Sequence, residues 1–94
     1  MTVLVVEDDE IILEGLKIAL QQEGYEVKVV MNQSDAMALV ANGVPFDFCL
    51  LDVMLPDGDG YNICREIRRQ SEVPILFLTA CDDEIHTVLA LEQG

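Results

Sequence analysis

The chain is expected to fold as an α/β protein, a doubly wound open parallel sheet with helices on both faces. Strand-like and helix-like patterns alternate from end to end, as in stacked βα units. Two short apolar runs, Val3-Leu4-Val5-Val6 and Phe46-Asp47-Phe48-Cys49-Leu50-Leu51, are each followed at once by acid. Such runs, with β-branched or aromatic content, are typical of strands covered on both faces. With 94 residues and 51% hydrophobic content, the chain is sized for one small domain, spanning 1–94.

The first strand is placed at about residues 2 to 6. The first helix follows from about 10 to 22, with Ile12, Leu16, Ala19 and Leu20 recurring at helical spacing and Gly24 closing it. Glu26 to Val30 reads as an edge strand, because Val27 and Val29 alternate with charged neighbours. Ser34 is the expected cap of a second helix carrying Ala36, Met37, Leu39 and Val40, which stops near Asn42-Gly43. The third strand is placed at about 47 to 51, and Leu55-Pro56-Asp57-Gly58-Asp59-Gly60 is a dense turn signal. Asp57 and Asp59 read there as turn residues and not as ligands. A third helix is expected over about 60 to 70, with Ile63 and Ile67 facing the core and Arg65, Glu66, Arg68 and Arg69 in solvent. A fourth strand, Pro74 to Leu78, ends in Thr79-Ala80, and a helix with Ile85, Val88 and Leu89 on one face begins near Asp83. A fifth βα unit is missing from the pattern.

Charge narrows the function. Five basic residues against 18 acidic ones give a formal charge of -13, which repels nucleic acid and anionic membranes. No apolar stretch approaches the roughly 20 residues that span a bilayer, and Met1-Thr2-Val3 offers no basic leader. Cys49, Cys64 and Cys81 lack metal-ligand or redox spacing, so reduced thiols and a cytoplasmic location are expected. Cys49 and Cys64 read as small core residues, Met31 and Met37 as packing, and His86 as a solvent-facing histidine.

The chemistry lies in Glu7, Asp8 and Asp52. In an open parallel sheet, ligands gather outside the carboxyl ends of the strands, so acids ending two strands share one crevice. Two carboxylates about 4 Å apart repel by roughly 1 kcal/mol in water and about 4 at an effective dielectric of 20, so three together call for a cation. An all-oxygen donor set selects a hard ion, Mg²⁺ or Mn²⁺, with positions left for phosphate oxygens. Asp9 and Glu10 read instead as a helix N-terminus, where acids satisfy amides and complement the dipole.

The segments V-V-E-D-D at 5 to 9, L-L-D-V-M-L-P-D-G-D-G at 50 to 60 and P-I-L-F-L-T-A at 74 to 80 together resemble a response-regulator receiver domain, the aspartate-phosphorylated partner in two-component signalling. The resemblance covers essentially the whole chain. It implies a flavodoxin-like sheet of order 2-1-3-4 and a phosphoacceptor, Asp52, that attacks a phosphohistidine of a sensor histidine kinase. It also implies Mg²⁺ held by Asp8 directly, by Glu7 through water, by Asp52 and by the main-chain carbonyl of Met54. Thr79 would give a hydrogen bond to the phosphoryl group, with Ala80 leaving room, and Pro56 and Gly60 would shape the following loop. Cys81 and the Met54 side chain would modulate the lifetime of the phosphoryl group.

The lysine that such domains carry on a fifth strand has no counterpart, since the only lysines are Lys17 and Lys28. A C-terminally incomplete receiver is therefore expected, from a longer regulator of the winged-helix transcription-factor kind that reaches DNA through its output domain. Strand 4 would then form an apolar edge, and such edges favour self-association by strand or helix exchange. The competing readings are a phosphate-independent dimerisation domain, a Mg²⁺-dependent phosphohydrolase and a flavin module. Phosphohydrolases of the haloacid type want a second acid where Met54 stands, and a flavin phosphate loop would not be Glu7-Asp8-Asp9-Glu10. The chain is thus expected to accept a phosphoryl group stoichiometrically and not to act as a turnover enzyme.

Overall fold

The computed structural model describes residues 1–78. Its elements are β1 (Thr2–Val6), α1 (Glu10–Gln22), β2 (Glu26–Val30), α2 (Gln33–Ala41), β3 (Phe48–Asp52), β4 (Met54–Leu55), β5 (Gly58–Asp59), α3 (Gly60–Arg68) and β6 (Ile75–Leu78). Four strands form a parallel sheet in the order β2-β1-β3-β6, and β4 pairs with β5 in a separate antiparallel ribbon. The main sheet therefore has the expected 2-1-3-4 order. The last predicted helix, with His86, and Cys81 ahead of it lie outside the described residues.

Strand alternation sorts the apolar side chains into two cores. Leu4, Val6, Cys49, Leu51, Ile75 and Phe77 pack with Ala36 and Val40 of α2 and Ile63, Cys64 and Ile67 of α3. Val3, Val5 and Leu50 pack with Leu13 of α1. β1 and β3, covered on both sides, bury every residue after their first. β2 is an edge strand with no buried residue. In β6, Ile75 and Phe77 are buried against the two-helix layer while Leu76 and Leu78 are half-buried.

The helix ends follow local chemistry. Asp9 caps α1 by accepting from the Ile11 and Ile12 amides, and Gly24 (φ 93°) ends it with the Gly24 amide on Gln21 and the Tyr25 amide on Leu20, a Schellman pair. Gly43 (φ 71°) closes α2 in the same way, through Gly43 to Val40 and Val44 to Leu39.

Several expectations need correction. The buried face of α1 is Leu13, with Leu16 and Leu20 partly buried, while Ile12 and Ala19 are exposed. Apolar residues surround this helix, with Ile11 and Ile18 also exposed, so two overlapping stripes fit the spacing and only tertiary packing selects one. The cap of α2 is Asn32, whose side chain accepts from the Asp35 amide; Ser34 lies inside the helix. β3 runs one residue later than expected and includes Asp52, β6 starts at Ile75, and α3 ends at Arg68.

Ile63 is fully buried between α3 and the sheet, whereas Ile11 is 85% exposed. Ile63→Ala is expected to destabilise the fold by about 2–5 kcal/mol, and Ile11→Ala to shift it by less than about 0.5 kcal/mol, both read by urea unfolding.

Candidate functional site

The sheet register places the acids. Val6 of β1 is level with Leu51 of β3, so the next residues, Glu7 and Asp52, emerge side by side where the chain reverses its direction of winding. This is the topological switch point of a doubly wound sheet, where the crevice opens. One carboxylate oxygen each from Glu7, Asp8 and Asp52 lies within 4.8 Å of the others. Glu7 and Asp52 are only 4% and 6% exposed, and Asp8 is exposed to solvent.

Few groups neutralise these acids. Glu7 Oε2 accepts the Asp9 amide at 3.0 Å, and its own amide donates to the Val30 carbonyl at 3.1 Å. Asp52 Oδ1 accepts the Met54 amide at 3.3 Å. Burial is the main reason that Glu7 is raised from 4.5 to about 7, with the charges of Asp52 and Asp8 adding to the rise. Burial also raises Asp52, opposed in part by hydrogen bonds from Glu7 and the Met54 amide. A protonated Glu7 beside an ionised Asp52 is the arrangement in which both partners gain.

The donor set fits a hard divalent ion: three carboxylates, no nitrogen or sulfur, one side open at Asp8. An octahedral Mg²⁺ with bonds of about 2.0–2.1 Å spaces its ligands about 3 to 4 Å apart, so small side-chain adjustments would bring these oxygens into range. Met54, 71% exposed, touches Asp52 through its amide.

The loop after Asp52 is tightly constrained. A Cβ built on Gly60 would collide with the Asp52 carbonyl oxygen, and the Gly60 amide donates to the Val53 carbonyl at 2.9 Å. Only glycine lets α3 begin this close to the strand end. Asp59 caps α3 by accepting the Asn62 amide. Asp57 lies in the turn, as expected, and in addition accepts the Gln33 and Ser34 amides at 2.7 and 2.9 Å, which hold its carboxyl below the usual range. The sequence pattern gave no sign of this link or of Gln33, because a cap supplied from more than twenty residues away has no local signature. Thr79 and Ala80 lie outside the described residues. Lys17 and Lys28 stand on α1 and β2.

An all-oxygen acid cluster at the switch point of this sheet order makes a crevice suited to a hard divalent ion. The family model for the response regulator receiver domain matches residues 3–94, and the chain belongs to that family. Membership implies reception of a phosphoryl signal.

Solved structures agree. The N-terminal domain of a response regulator/sensory box/GGDEF three-domain protein from Carboxydothermus hydrogenoformans superposes with TM-score 0.81 and 31% identity, over 87% of this chain and 66% of that one. TrrA from Thermotoga maritima, solved in complex with Mg²⁺-BeF, gives 0.77 and 34% over 87% and 71%. The BeF3-activated receiver domain of Klebsiella pneumoniae RstA gives 0.78 and 32% over 96% and 76%. The match thus spans just under two thirds of the first of these chains. Among the described residues no helix is long and apolar enough to cross a membrane.

Glu7 binds its proton more tightly folded than unfolded, so the folded chain holds more protons between about pH 4.5 and 7. Stability of the metal-free protein should therefore fall as pH rises through that window. Asp57 is shifted down and acts only at lower pH. Thermal melts across pH 4.5 to 7 should show a decline in the native chain and a flatter profile in Glu7→Gln.

Proposed function

We propose that Asp52 is the phosphoacceptor of a signalling switch and that Glu7, Asp8 and the Met54 main-chain carbonyl complete a divalent-ion site beside it. The observation that carries this reading is the convergence of three carboxylate oxygens within 4.8 Å, two of them from buried side chains. Burial without a counter-charge raises both buried acids, so the site is built to receive positive charge.

Asp52 acts as nucleophile. One of its oxygens forms a bond to phosphorus as the bond from phosphorus to an imidazole nitrogen of a kinase phosphohistidine breaks; that nitrogen keeps the bonding pair and the other ring nitrogen carries the proton, leaving an acyl phosphate on Asp52 and a neutral histidine. The Met54 amide orients the carboxylate through Oδ1. When bound, Mg²⁺ or Mn²⁺ supplies charge that neutralises the carboxylates and the equatorial phosphoryl oxygens. By family resemblance alone, Thr79 would donate a hydrogen bond to one of those oxygens and Ala80 would leave room for it.

The same reading makes the chain a cytoplasmic partner of a sensor histidine kinase that passes its state to a transcriptional output, with DNA bound by a different domain. Stoichiometric acceptance is favoured over phosphoester turnover because the residue two places after Asp52 is Met54, which offers no acid or base. Among the described residues β6 pairs only with β3.

The test is intact mass after incubation with Mg²⁺ and a small phosphodonor. One phosphoryl group is expected on the native chain and none on Asp52→Asn. No adduct on either chain, or equal labelling of both, would remove Asp52 from the role.

A further inference from the structure

The turn that follows Asp52 is fastened to the start of α2 in both directions. Asp57 accepts the Gln33 and Ser34 amides, and Gln33 Oε1 accepts in return from the Asp59 amide and from Asn62 Nδ2, each at 3.0 Å. Asn32 satisfies only the third amide of α2, so Asp57 completes that cap from outside by taking the first two, while Asp59 caps α3 without help from Gln33. Gly58 gives Gln33 its seat: a Cβ there would collide with the Gln33 side-chain amide.

The fastening closes a ring around the acids. Glu7 is bonded to Val30, the last residue of β2, and the chain runs from there through Asn32 into Gln33. Gln33 is bonded across to Asp57 and Asp59, and the ribbon returns through Met54 to the Asp52 carboxylate. The ribbon has two residues per strand, too few to hold its shape alone. Its Pro56-Asp57 turn contains no positive φ, so it is not one of the primed turns that match strand twist. An anchor outside the ribbon is therefore needed to fix the loop that orients Asp52.

We propose that Gln33 and Asp57 are positioning residues for the acidic site: by clasping the β4–β5 ribbon to α2 they hold the Met54 amide against the Asp52 carboxylate and so fix its orientation toward Glu7 and Asp8 for divalent-ion binding. The proposal rests on the reading of Glu7, Asp8 and Asp52 as an ion site. The clasp touches neither ion nor phosphoryl group. Its loss lets the Asp52 carboxylate sample more orientations, and groups that orient ligands in this way govern affinity.

The probe is Mn²⁺ itself, titrated into the 94-residue chain and followed by the electron paramagnetic resonance of the free ion, well below the unfolding midpoint. Asp57→Ala and Gln33→Ala are each expected to raise the dissociation constant about threefold to tenfold. Asp57→Asn should fall between, because its amide keeps one accepting oxygen and turns a donor toward the other N–H. Gly58→Ala should behave like Gln33→Ala, and the double variant Gln33→Ala/Gly58→Ala should be no weaker than Gln33→Ala, since the seat is already vacant. A merely structural clasp would lower the unfolding midpoint and leave the Mn²⁺ affinity of the folded protein unchanged. That result, with Mn²⁺ bound normally by the native chain, overturns the clasp alone. Absence of Mn²⁺ binding by the native chain overturns the ion site itself, and the clasp with it.

Discussion

Repulsion among three carboxylates is the constraint around which this small domain is arranged. Two unit charges about 4 Å apart cost roughly 1 kcal/mol in water and about 4 at an effective dielectric of 20, and Glu7 and Asp52 are almost fully removed from water. The fold sets them there by force of its apolar strands. β1 and β3 are buried on both faces and aligned in register, so their ends cannot separate without exposing the cores beneath. What remains is to supply a positive charge or to keep a proton. The raised pKa of Glu7 shows the second solution, and the all-oxygen donor set is suited to the first.

Around that strained centre the backbone is tied down closely. Glu7 is bonded to the end of β2 and to the Asp9 amide, while Asp9 in turn caps α1, so the acidic run after β1 divides into site and cap within three residues. On the other side, Gly60 brings the first turn of α3 against the Asp52 carbonyl, and Leu55 is buried while Met54 and Asp57 remain outside. Burial of Cys49 and Cys64 in the two-helix core, which pushes the Cys49 thiol up, leaves both thiols as packing groups and not as nucleophiles.

Much of this was legible in the sequence because the signals were local. Continuous apolar runs marked β1 and β3, alternation marked β2 as an edge, and acids directly after two strands marked the crevice. The phase of α1 was not legible: Ile11, Ile12, Leu13, Ile18 and Ala19 surround the helix, and the choice of Leu13 is made by Val3, Val5 and Leu50 across the interface. The start of α2 was misplaced because Asn32 and Ser34 are both good caps, and the decision falls to an amide pattern that includes Asp57. The β4–β5 ribbon was hidden inside a strong turn signal, since two-residue strands carry no periodicity. Asp57 and Gln33 meet only through the tertiary fold, which is why the acids of the site could be read from the chain and the clasp could not.

The central claim is that the three carboxylates form one site for a divalent ion. It is tested most directly by the thermal midpoint of the native chain and of Asp8→Asn as Mg²⁺ is titrated at neutral pH. A ligand bound only by the folded state raises the midpoint with the logarithm of its concentration once above its dissociation constant. The account predicts that rise for the native chain and its loss in Asp8→Asn. A native midpoint indifferent to millimolar Mg²⁺, or an equal rise in both chains, would contradict it.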